Sequence, residues 1–119
     1  MELGGSIMTR EYLHQGLAEG RWSSMTVEEQ LGNIGSEVHR AILHQKKPDQ
    51  FLHTVARALE LFEFTIDDPK WRVLGRLREI TRVKELFCAA VLGSNEYNTT
   101  LEDLDKYFFF YACIARENR

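Results

Sequence analysis

The sequence predicts an all-α protein, a four-helix up-down-up-down bundle behind a loose N-terminal arm, and three observations lead there. Apolar residues recur every three or four positions over four long stretches, the period of one face of a helix. Start and stop signals for helices (capping boxes, prolines, a terminal glycine) fall at the edges of those stretches. The connections between them are short, which makes successive helices antiparallel neighbours. At 119 residues, 44% hydrophobic and 28% charged, the chain fits one domain able to bury its own core.

Residues 1–24 read as the arm, with scattered glycines and room for a short helical turn over 9–18, and residues 25–119 as the bundle domain. The first helix begins at Thr26, whose "TVEE" run places Glu29 three residues on in a capping box. Val27, Leu31, Ile34, Val38 and Ala41 then form a heptad-like seam. Gly32 and Gly35 lie in its middle, where each costs about 1 kcal/mol relative to alanine. Two such losses imply a packing reason: Gly32 and Ser36, four apart, would let another backbone come close.

The second helix starts at Pro48, a residue suited to the first helical position, and carries Phe51, Leu52, Val55, Leu59, Phe62 and Ile66 as its apolar stripe. Asp67 and Asp68 before Pro69 close it and open a third helix, expected to run from Pro69 to about Leu92 and to stop at Gly93. Trp71, Leu74, Leu77, Ile80, Phe87 and Val91 supply the apolar side of the third helix. Its other side holds Lys70, Arg72, Arg76, Arg78, Arg82 and Lys84, six of the fifteen Lys and Arg of the chain. The linker "GSNEYNTT" then brings Thr99 with Glu102, or Thr100 with Asp103, to the cap of the last helix.

That last helix raises a question of cover. Tyr107, Phe108, Phe109, Phe110 and Tyr111 are consecutive, and at 100° per residue they point almost all round the helix. Leu101, Leu104, Phe108 and Tyr111 define the inward stripe, which leaves Phe109 outside it together with parts of Tyr107 and Phe110. Apolar surface of that kind is uncommon on a monomer, so these three are the candidate interface residues, for a second subunit or a protein partner, with cover by the N-terminal arm as the main alternative.

Composition excludes some function classes and the spacing of reactive residues excludes more. A net charge of −3 gives no overall basic field for nucleic acid. Cys88 and Cys113 sit in apolar runs without a C-x-x-C pattern, and a disulfide is the lesser reading. The histidines lack metal-ligand spacing; a single E-x-x-H, Glu11 with His14, falls in the arm. No phosphate-binding glycine loop or nucleophile elbow is present. Arg10 to His14 and Arg40 to His44 also miss the wider spacing of RNA-cleaving HEPN bundles. The expectation is therefore a non-enzymatic, cytoplasmic protein with no cofactor, metal or membrane span.

Three sets of residues stand out as binding candidates. Asn33, Glu37 and Arg40 share a side of the first helix, either as a solvated local ion pair or as the lining of a pocket opposite the arginines of the third helix. Arg72 and Arg76 head the basic face, which reads as ion-paired surface or, in the sharper alternative, as an RNA-binding patch of a toxin–antitoxin type module. Asn95, Glu96 and Tyr97 in the linker are placed to touch a partner, although such loops often do no more than cap a helix.

With "RWSSMTVEEQLGNIGSEVHRAI" and "NEYNTTLEDLDKYF" in view, the chain resembles a group of small prokaryotic helical proteins. These carry an EQL-x-NIGSEV helix and an NEYxTT loop before an aromatic last helix. The likeness covers Trp22 to about Arg116; it implies a helical bundle, without an assigned activity and without a catalytic residue.

Overall fold

The computed structural model describes residues 20–94 and 96–117, and these are all-helical. A short 3-10 turn, Trp22–Ser24, leads into α1 (Val27–Leu43), followed by α2 (Pro48–Asp67), α3 (Pro69–Val73), α4 (Leu77–Val91) and α5 (Leu101–Glu117). The first nineteen residues, which hold most of the expected arm and the Glu11/His14 pair, lie outside the described residues. Trp22 already belongs to the packed unit, since its ring is buried in the core and stacks near Phe64.

Local signals set the helix ends. At α1 both halves of the capping box form: the Glu29 amide donates to Thr26 Oγ1 at 3.1 Å and the Thr26 amide to Glu29 Oε1 at 2.9 Å. At α5 the pair is Thr100 with Asp103, at 3.1 and 3.0 Å. Pro48 and Pro69 take first-turn positions in α2 and α3, and the Asp68 carboxylate accepts from the Lys70 amide at 3.0 Å.

The expected single third helix is two helices. Gly75 has φ +73°, and around it the Gly75 amide donates to the Arg72 carbonyl (3.0 Å) and the Arg76 amide to the Trp71 carbonyl (2.8 Å). These two bonds form a Schellman stop, which ends α3 after little more than one turn and redirects the chain into α4. A second stop of the same kind closes α4 at Gly93. Among the described residues there are then four longer helices, with α3 as a short inserted turn.

α1 packs against α2 on one side and, most extensively, against α5 on the other; α4 lies against α2 and α5. The core runs through the middle, where Phe62 of α2 sits 5.5 Å from the Phe87 ring of α4 and 6.3 Å from the Phe108 ring of α5. Ile34, Val38 and Leu31 fill the space from the α1 side. Two expected core positions face water instead: Leu52 and Leu74 are exposed. The inward side of α2 is centred on Val55, Ala58, Leu61, Phe62 and Thr65, and the Gly75 break swings Leu74 out. Cys88 and Cys113 are free thiols at half-buried positions.

The glycines of α1 have the packing role expected, with a change of partner. A methyl group on Gly32 would come within 3.2 Å of the Ala112 Cα, and one on Gly35 within 2.4 Å of the Phe108 Cβ. It is therefore Gly32 with Gly35, both directed at α5, that allows the close approach. Ser36 lies beside them, exposed, its hydroxyl donating to the Gly32 carbonyl at 3.3 Å.

Candidate functional site

The close α1–α5 contact leaves a groove on its outer side. Gly32, Ala112 and Ser36 form its floor because their side chains are too small to fill the space between the helices. Toward the C-terminal end of α1 the groove opens to about 580 Å³ beside His39, Arg40, Leu43 and Asp105. Toward the other end it opens to about 590 Å³ beside Met25, Glu29, Asn33 and Arg116. Phe109 lines both stretches and stands between them.

Of the aromatic run, the structure separates what is used inside from what is not. Phe108 is buried against Phe62, and Tyr107 turns toward α4, where its hydroxyl donates to the Glu79 carboxylate. Phe109 and Phe110 remain 61% and 60% exposed. Tyr107, grouped with them from the sequence, is thus engaged within the chain, and Phe109 and Phe110 form the outward aromatic surface.

The polar candidates of α1 do not assemble as one set. Glu37 is buried and accepts from Arg40 at 2.8 Å and from Arg57 of α2 at 3.3 Å. The expected counterpart, the arginine face of the third helix, is not its partner; Arg57, twenty residues away in sequence, takes that place. Asn33 points into the groove and its side-chain amide donates to the Glu29 carbonyl at 2.8 Å. A polar cleft over Arg40, His44, His53 and Arg57 adjoins the Glu37 pair, with His44 Nδ1 3.4 Å from Thr54 Oγ1.

The basic face is largely paired. Arg76 forms a two-point contact with Glu79 at 2.8 and 3.0 Å, and its guanidinium lies 5.0 Å from the Trp71 ring centroid and 5.6 Å from that of Tyr111. Hydrogen bonding to Arg76 holds the Glu79 carboxyl below the usual carboxylate range against burial, with the Tyr107 hydroxyl adding to it. Burial pushes the Tyr107 phenol well above its ordinary range, and its bond to Glu79 pushes further the same way. Lys84 pairs with Glu63, Arg82 with Glu85 at 3.4 Å and Lys70 with Asp68 at 2.9 Å, whereas Arg72 and Arg78 are exposed. In the linker, Tyr97 lies under the Arg82 guanidinium at 4.6 Å and Glu96 is exposed; Asn95 lies outside the described residues.

A buried polar cluster at the α1–α3 junction escaped the sequence reading. Gln30, fully buried, accepts from Trp71 Nε1 at 2.6 Å and donates to Asp68 Oδ2 at 2.8 Å and to the Trp22 carbonyl at 3.0 Å. Trp22 Nε1 in turn donates to Thr65 Oγ1 at 3.0 Å, and Lys70 Nζ reaches the Ser23 carbonyl at 3.0 Å. Burial raises the Asp68 carboxyl, but hydrogen bonds from the Lys70 amide, Gln30 and the Lys70 ammonium outweigh it and leave it below its ordinary range. One signal was available: Gln30 stands one turn after Val27 and one before Ile34, a lone polar residue on the apolar stripe.

The described residues hold no group of three or more His, Cys, Asp and Glu arranged for a metal ion, and no helix long and apolar enough to cross a membrane. Comparison of the chain with known protein families, with curated proteins and with solved structures finds no match.

Proposed function

We propose that the protein is a non-enzymatic, cytoplasmic interaction module, an up-down-up-down bundle of α1, α2, α4 and α5 that self-associates through the outer side of α5. The observation that carries this reading is Phe109: a large ring, 61% exposed, standing in a groove whose floor is made of glycine, alanine and serine. Exposed apolar side chains beside a concave apolar surface favour association, because both lose contact with water when a partner covers them.

Phe109→Ser tests the reading. A side chain already in water contributes little to folding, so the unfolding free energy should change by no more than about 0.5 kcal/mol while the associated form is lost in sedimentation velocity. An associated form of unchanged strength in the variant would reject Phe109 as its anchor. The other reading, an RNA-associated module on the basic face, draws on Arg72 and Arg78; it requires binding that weakens steeply with added salt.

A further inference from the structure

The two helices that frame the groove carry the same pattern. On α5, Asp105, Phe109, Ala112 and Arg116 are spaced by four, three and four residues and form one stripe. On α1, Glu29, Asn33, Ser36 and Arg40 repeat those spacings. Each stripe has an acid at its N-terminal end and a base eleven residues on; between them lie Asn33 and Ser36 on α1, and the large Phe109 and the small Ala112 on α5. Gly32 lies at Ala112 and Gly35 at Phe108, so the two helices run antiparallel. His39 Nδ1, near the C-terminal end of α1, is accordingly 3.3 Å from Asp105 Oδ2, near the start of α5.

A stripe with an acid at one end and a base at the other is complementary to itself when turned end for end. Resting on the reading of this face as a self-association surface, we propose that the occupant of the groove is a second copy of the chain, placed by a two-fold axis that crosses α5 midway between Phe109 and Ala112. In that register Asp105 of each copy faces Arg116 of the other, about 16 Å apart along each helix, so both pairs form at once. Phe109 of each copy meets Ala112 of the other, where the floor next to Gly32 leaves room for a ring. Along α5, large meets small and acid meets base at every position of the stripe, the mark of an isologous interface.

Charge reversal tests the register separately from association itself. Asp105→Lys and Arg116→Glu, each in the full chain and each checked for unchanged helicity by circular dichroism, place like charges opposite one another twice per dimer. Each should raise the dimer dissociation constant about tenfold or more in sedimentation equilibrium at low salt. The double variant restores opposite charges across the axis and should return the constant to within about threefold of the original. If Phe109→Ser abolishes the dimer but neither charge reversal moves it, the register is wrong and the self-association reading stands. If the unaltered chain is monomeric at every concentration, both fall. Single reversals that weaken the dimer without recovery in the double variant also overturn the register.

Discussion

α1 meets its neighbours in two opposite ways, and the contrast separates what holds the fold from what is left for a partner. At the junction with α3, Gln30, Trp71, Asp68 and Trp22 satisfy one another inside a closed interior. Across the seam with α5, Gly32 and Gly35 bring two helices close together, and Phe109 stands exposed beside the groove on their outer side. A buried polar cluster is costly when broken and has no capacity to spare. An open apolar groove contributes little to the monomer and offers all of its surface to something else.

The largest way to break that contrast is at the closed end. Gln30→Leu leaves the buried Trp71 Nε1 and Trp22 carbonyl without this partner and Asp68 without one of its donors, and should lower the unfolding free energy by about 3 kcal/mol in urea titration while leaving association of the folded chain unchanged. Next comes Gly35→Ala: a methyl group 2.4 Å from the Cβ of buried Phe108 forces α5 away, and overpacking of about 1–3 kcal/mol exceeds the gain in helix propensity. Gly32→Ala meets Ala112 at 3.2 Å, where a shift of a few tenths of an ångström suffices, so its stability effect should stay within about 1 kcal/mol. Because the new methyl group narrows the groove floor, this variant should weaken association more than it changes folding.

A smaller effect comes from pH. Asp68 and Glu79 both have folded pKa values depressed below their ordinary ones, so the stability they contribute is present above the ordinary carboxylate range. It is lost as pH falls through that range and below it, as each carboxylate is protonated. Urea midpoints should thus fall between pH 6 and pH 3, and the Gln30→Leu variant should lose less over that interval, since Asp68 has already lost one of its hydrogen bonds; a parallel fall in both proteins would argue against the Asp68 contribution. Tyr107 works at the other end of the scale: its raised phenol contributes stability below the ordinary tyrosine range that disappears as pH rises above it.

How much of this was legible in the sequence follows from how far apart the interacting residues are. Thr26 with Glu29 and Thr100 with Asp103 lie within one turn, so their caps could be read directly. Phe109 followed from the 100° step alone, because Phe108 before it faces the core and Tyr107 turns toward α4. Gly75 was missed, since a glycine inside an apolar period looks like a tolerated interior residue until the chain shows a positive φ there. The Arg57 partner of Glu37 and the Asp105 neighbour of His39 depend on which helices meet, information that no single helix contains. The groove belongs to the same class: Gly32 and Gly35 announced a close approach, but only the position of α5 shows that its outer edge is open.

The most direct test of the central claim is the solution mass of the unaltered chain, by light scattering after size exclusion over a range of loading concentrations, with absorbance at 260 and 280 nm on the same peak. A mass rising with concentration from 13.9 kDa toward about 27.8 kDa, twice that value, with the 260 nm signal of protein alone, is the expected result. A mass fixed at 13.9 kDa throughout would contradict it, and excess 260 nm absorbance on that peak would direct attention to the exposed arginines instead.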